Sequence, residues 1–142
     1  MILPDANTLL YAANRSASQH ASAVRALQEG YQSPRGVGFA WMALLAFLRL
    51  STRSGIFPHP LHVEDALRVV AHWLDHPAAW VLNPGERHAE ILARLLMAAG
   101  TAGNLTSDAH LAALAIEHDA TIITYDRDFA RFADAQWLTP AP

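Results

Sequence analysis

Short apolar runs bounded by turn residues alternate along the chain with stretches of helical period, and this alternation most narrows the folds open to it. Ile2 and Leu3 before Pro4 and Asp5, Val37 to Phe39 after Pro34 and Gly36, Trp80 to Leu82 before Pro84 and Gly85, and the β-branched run Thr121 to Tyr125 read as short strands. A weaker one lies near Gln136 to Leu138. Helical spacing fills the intervals. One helix opens at Asn7 with Leu9, Leu10, Ala12 and Ala13; a second covers residues 18 to 29, with Gly30 as its stop. Others run from Trp41 to about Thr52, from about His62 to Asp75 ahead of Pro77, and from Glu86 to Ala99 ahead of Gly100. Residues 101 to 104 read as a loop, and Thr106 or Ser107 as the cap of a last helix that carries Asp108 and runs to about His118. Such an order builds a three-layer α/β domain, a central parallel sheet of four or five short strands with helices on both faces. The length of 142 residues and a hydrophobic content of 52% suit one domain of this kind, with residues 139 to 142 as a loose tail.

Composition removes several classes of function. The chain has no cysteine, so any metal is held by oxygen or imidazole. It has no lysine either, which excludes a P-loop and the phosphatase and receiver folds that pair an early acid with a later lysine. Apolar stretches are broken well before the roughly 18 residues of a membrane span, and the opening MILPDANTLL lacks a charged leader, so a cytoplasmic location is expected. A net charge of -3 gives no global attraction to nucleic acid; local arginines or bound cations would have to offset phosphate repulsion.

In open parallel sheets ligands collect outside the carboxyl ends of the strands. Asp5 and Asp126 both follow a strand there, and Asp108 stands on the helix that precedes the late strand. Three such acids form an oxygen-only cluster. Clustered carboxylates repel one another unless a cation offsets them, and magnesium or manganese prefers these ligands. The chemistry expected is phosphodiester hydrolysis, which needs no protein nucleophile. Arg49 and Arg53, four apart at the end of the middle helix, would offer one positive face to phosphate, and Arg127 and Arg131 repeat that spacing beside Asp126. His72 and His76 share the i, i+4 spacing of a zinc pair, but no Glu follows His72 directly and no third ligand is evident. His110 and His118 read as ordinary surface residues near the acids. The helix from Trp41 is apolar nearly all round, and Trp41, Leu44, Leu45, Phe47 and Leu48 exceed what one face buries.

Three blocks, ILPDANTLLYA, WMALLAFLRLSTRSGIF and NLTSDAHLAALAIEHDATIITYDRDFARF, resemble in order and spacing the beginning, middle and end of VapC-type PIN-domain toxins. The resemblance spans nearly the whole chain and implies a PIN fold and a magnesium-dependent endoribonuclease, manganese being a possible substitute, that leaves 5′-phosphate and 3′-hydroxyl ends. It also implies an RNA substrate, a VapB-type antitoxin whose tail covers the acidic groove, and pairing as a homodimer. Asp5, Asp108 and Asp126 match family acids, with Asn7, Thr124 and Asp128 as polar neighbours; Asp128 is read as a further metal ligand, and Asn7, Thr124, Arg49 and Arg53 as substrate contacts. One position departs. The Glu that family members commonly carry on the middle helix aligns with Ala46, which binds no metal; Asp128 is the substitute nearest the cluster, with Glu86 and Glu90 further away. Two other readings remain: a PIN-fold binding module that has lost catalysis with its Glu, and a metal-dependent phosphohydrolase of small phosphate esters.

Overall fold

The computed structural model describes all residues 1–142. Five strands, β1 (Ile2–Pro4), β2 (Val37–Phe39), β3 (Ala79–Val81), β4 (Thr121–Ile123) and β5 (Gln136–Leu138), form one all-parallel sheet in the order β3-β2-β1-β4-β5. Six helices alternate with them: α1 (Ala6–Ala13), α2 (His20–Gln32), α3 (Trp41–Ser51), α4 (Val63–Leu74), α5 (His88–Ala99) and α6 (Thr106–Glu117). No helix is long and apolar enough to cross a membrane.

The inner strands β1, β2 and β4 are mostly buried while the edge strands β3 and β5 are largely exposed, and the buried side chains divide between two cores. Leu3 and Ile122 pack with Ile91 and Leu95 of α5, Leu111 and Leu114 of α6, and with Phe129 and Phe132. On the opposite face Val37 and Phe39 meet Leu9 of α1, Leu27 of α2, Leu44 and Phe47 of α3, and Val70 and Trp73 of α4. The expected three layers are therefore present.

Differences from the expected elements have local causes. Gly30 does not stop α2, which runs on to Gln32. It is buried there, and an added Cβ would overlap Ile2 and Val37; the glycine serves close packing of α2 on the sheet. Residues 103 to 105 form a 3-10 turn that leads directly into α6, whose first residue, Thr106, bonds the Gly103 carbonyl at 2.9 Å instead of capping the helix. The tail is not loose, since the Arg25 guanidinium donates to the carbonyls of Ala141 and Pro142 at 2.6 and 2.9 Å. The apolar α3 divides its residues: Leu44 and Phe47 are buried while Trp41 and Leu45 are exposed.

Topology fixes where a site forms. From β1 the chain passes to β2 and β3 on one side and later to β4 and β5 on the other, so β1 and β4 flank the point at which the winding reverses. The crevice beyond their carboxyl ends is where such sheets bind ligands. Leu3 pairs with Ile122 and Pro4 with Ile123, which sets Asp5 level with Thr124.

Candidate functional site

Asp5 leaves β1 and caps α1, its Oδ1 accepting from the Ala6 amide at 2.7 Å. Its Oδ2 accepts from Thr124 Oγ1 at 2.8 Å and Asn7 Nδ2 at 3.0 Å. Asn7 is fully engaged, since Nδ2 also reaches Thr124 Oγ1 at 3.1 Å and Oδ1 accepts from the Tyr125 amide at 3.1 Å. Thr124 is completely buried and its hydroxyl also accepts from the Asp126 amide at 3.0 Å. These two residues, expected to contact substrate, hydrogen-bond to one another and to Asp5.

Asp126 ends the connection from β4 and its Oδ1 accepts from the Asp128 amide at 2.8 Å, capping a 3-10 turn over Arg127–Arg131. Asp128 is thereby turned back toward the first turn of α6, where Asp108 stands. Carboxylate oxygens of Asp108, Asp126 and Asp128 lie within 4.8 Å of one another. The compact trio thus contains Asp128, with Asp5 beside it and held by its own hydrogen bonds.

The electrostatics follow from this crowding. Burial and the charges of Asp5, Asp126 and Asp128 together push the Asp108 carboxyl up to about 6. Asp5 is also raised, chiefly by burial and further by Asp126, against the opposing pull of its bonds from Thr124, Ala6 and Asn7. Below about pH 6 Asp108 holds its proton, and above it the ionised cluster favours a bound cation. An all-oxygen donor set with several carboxylates and room for water suits a hard divalent ion, and those residues fit one.

A cleft of about 220 Å³ runs from Asp5 and Asp108 along α3, and its wall includes Met42, Ala46 and Arg49. Ala46 therefore lines the same cleft as the acids at the position where the family Glu was expected, and Arg49 is the one cationic side chain in its wall. Arg53 lies beyond the end of α3, is exposed and does not line this cleft. Glu86 and Glu90 do not line the cleft either; Glu86 precedes α5 and both are exposed. Arg131 approaches Asp128 at 3.9 Å.

Several histidines make contacts within the fold. His76 lies outside α4, stacks on Tyr31 at 3.9 Å between centroids and accepts from the Ala78 amide, so His72 and His76 share no helix face. His110 bonds His88 at 2.9 Å between α6 and α5, and His118 bonds the Asn83 carbonyl at 2.9 Å. The sequence does not single out Tyr11 or Tyr125, whose rings meet edge to face at 5.0 Å, because nothing in local spacing joins residues so far apart.

Comparison with known proteins gives consistent findings. The family model described as PIN domain matches residues 2–135. Ribonuclease VapC37 of Mycobacterium tuberculosis is 51% identical over 140 residues, covering 99% of this chain and 97% of the relative. Ribonuclease VapC33 of the same species is 42% identical, covering 99% and 98%. Among solved structures, VapBC2 from Rickettsia felis bound to a promoter DNA fragment superposes with a TM-score of 0.73 at 18% identity, covering 99% of this chain and 100% of that one. VapBC-1 from nontypeable Haemophilus influenzae gives 0.68 at 22%, covering 98% of each.

Proposed function

Because this chain belongs to the PIN-domain family, and within it to the VapC ribonucleases, we propose that it is the endoribonuclease toxin of a toxin–antitoxin pair, acting through Asp5, Asp108, Asp126 and Asp128. The observation that carries the proposal is the convergence of Asp108, Asp126 and Asp128 within 4.8 Å beside Asp5, at the sheet's switch point.

Asp108, Asp126 and Asp128 would hold magnesium, or manganese in its place, and Asp5 would complete the negative field behind them. A bound divalent ion supplies polarisation of the phosphoryl oxygen and a more acidic attacking water for an in-line displacement. The protein's share is placement. Thr124 and Asn7 keep the Asp5 carboxylate in one rotamer, and the Asp126 cap sets the direction of Asp128. Arg49 at the cleft lip would pair with a backbone phosphate, the local positive charge that a chain of net charge -3 needs to hold RNA.

By the same reasoning the partners are a VapB-type antitoxin and, across the exposed apolar side of α3, a second copy of the chain. Co-expression with the antitoxin encoded beside it would give a complex, and size measurement of the freed toxin would give a dimer.

The test is digestion of total bacterial RNA by the purified, antitoxin-free chain with magnesium, with manganese and with EDTA, beside Asp126→Asn. Discrete fragments with 5′-phosphate ends, lost with EDTA and in the variant, are expected. RNA bound and left intact under every metal would favour the binding-module reading, for which Ala46 in the cleft wall is the specific support.

A further inference from the structure

Beside α1 lies a second cavity whose walls include none of the four acids. It measures about 320 Å³ and is walled by Asn7, Leu10, Tyr11 and Asn14 of the α1 segment and by Ile56 and Phe57 of the loop after α3. The first four residues have the spacing i, i+3, i+4, i+7, one stripe of a helix running about 10 Å away from the acidic site. Asn7 belongs to both places, since its amide holds Asp5 while its side chain begins the cavity wall. A strand with one phosphate at the carboxylates therefore has this slot beside it.

The lining suits a flat aromatic ligand. Tyr11 is half-buried and its ring is fixed edge to face by Tyr125 at 5.0 Å, while its carbonyl accepts from His20 Nδ1 at 2.9 Å. The Tyr125 hydroxyl is tied to Ser22 at 2.6 Å, but no group of the chain bonds the Tyr11 hydroxyl. On the opposite wall Phe57 is buried and bridges back to Ser54, anchoring the loop, whereas Ile56 remains 49% exposed at the slot. Gly55, at φ 98°, permits the turn that presents Ile56. Tyr11 and Ile56 thus offer a held aromatic ring and an uncovered apolar side chain around a space of small-ligand size.

We propose that this slot binds one base of the RNA strand next to the scissile phosphate, with Tyr11 as stacking platform and Ile56 as the facing wall. The proposal rests on the ribonuclease reading and makes Tyr11 and Ile56 determinants of which nucleotide flanks the cut. Single-stranded RNA is recognised by this means, through unstacked bases laid on aromatic side chains.

The test separates base binding from cleavage. Fluorescence anisotropy with the full chain carrying Asp126→Asn, in magnesium, would compare labelled octaribonucleotides of A, C or U with an abasic ribose-phosphate octamer. At least one base-bearing strand is expected to bind about tenfold more tightly than the abasic strand, as one base stacked on an aromatic ring provides. Tyr11→Ala should reduce that advantage to near unity and Tyr11→Phe should retain it. Ile56→Glu, at an exposed position where folding is not at stake, should reduce it as Tyr11→Ala does. Equal binding of base-bearing and abasic strands, or an advantage unchanged in both Tyr11→Ala and Ile56→Glu, would overturn the proposal. Failure of the wild-type chain to cut any RNA would instead count against the nuclease reading, since the anisotropy does not depend on turnover.

Discussion

Thr124 Oγ1 donates to Asp5 Oδ2 at 2.8 Å across 119 positions of sequence, and this bond joins the carboxyl end of β4 to that of β1 at the centre of the acidic site. Thr124→Val keeps the shape and removes the donor, leaving a mostly buried carboxylate with one partner fewer. Divalent-ion affinity should fall about 10–100-fold, as for other groups that orient metal ligands. Thr124→Ser should restore most of it. Calorimetric titration with manganese checks this, and unchanged affinity in Thr124→Val would refute the positioning role.

Crowded carboxylates work against the metal-free fold. Asp126→Asn removes one charge from the cluster and retains an oxygen to cap the Asp128 amide, so the metal-free protein should melt at a higher temperature than wild type. Added magnesium should raise the melting temperature of wild type far more than that of the variant. A variant less stable than wild type in EDTA would contradict the picture of repulsion.

The pH dependence has a definite sign. Asp108 titrates at about 6 in the fold against 3.8 when unperturbed, so the folded chain binds the proton more tightly than the unfolded one. Metal-free stability should therefore be highest at low pH as far as this group is concerned, and decline as pH rises from about 4 to about 6. Proton and cation compete for the same oxygens, so apparent magnesium affinity should climb over that interval and level off above about 6. Melting curves and metal titrations between pH 4 and 8 would show it; affinity unchanged between pH 4 and 6 would count against Asp108 as a ligand.

Ala46 faces Asp5 and Asp108 across a cleft of about 220 Å³, which leaves space for a longer side chain. Ala46→Glu should add a carboxylate to the donor set, tighten magnesium binding by about tenfold or more and raise cleavage at limiting metal. Magnesium titration of the cleavage rate decides the matter; a weaker response than wild type would mean that the cleft does not communicate with the ion.

Gly30→Ala would drive a methyl group into Ile2 and Val37 and should cost about 1–3 kcal/mol, read from chemical denaturation, with metal affinity in the folded fraction unchanged.

Residue order alone fixed the alternation of strands and helices, the parallel sheet and the three acids at Asp5, Asp108 and Asp126, because each depends on local periodicity or on a residue's place at the end of an element. The family of blocks was legible for the same reason. Tertiary structure decided matters that depend on distance between remote segments. It set Asp128, already read as a further ligand, in the compact trio and Asp5 beside it, through a cap on a 3-10 turn. It bonded Asn7 and Thr124 to each other and Thr124 to Asp5, because these hydrogen bonds close across paired strands. It ended α3 at Ser51, so that Arg49 is helical and Arg53 is not, and set Tyr11 beside the loop that carries Ile56. Periodicity reports which face of an element is apolar; only the packing of those faces determines which polar atoms meet across them.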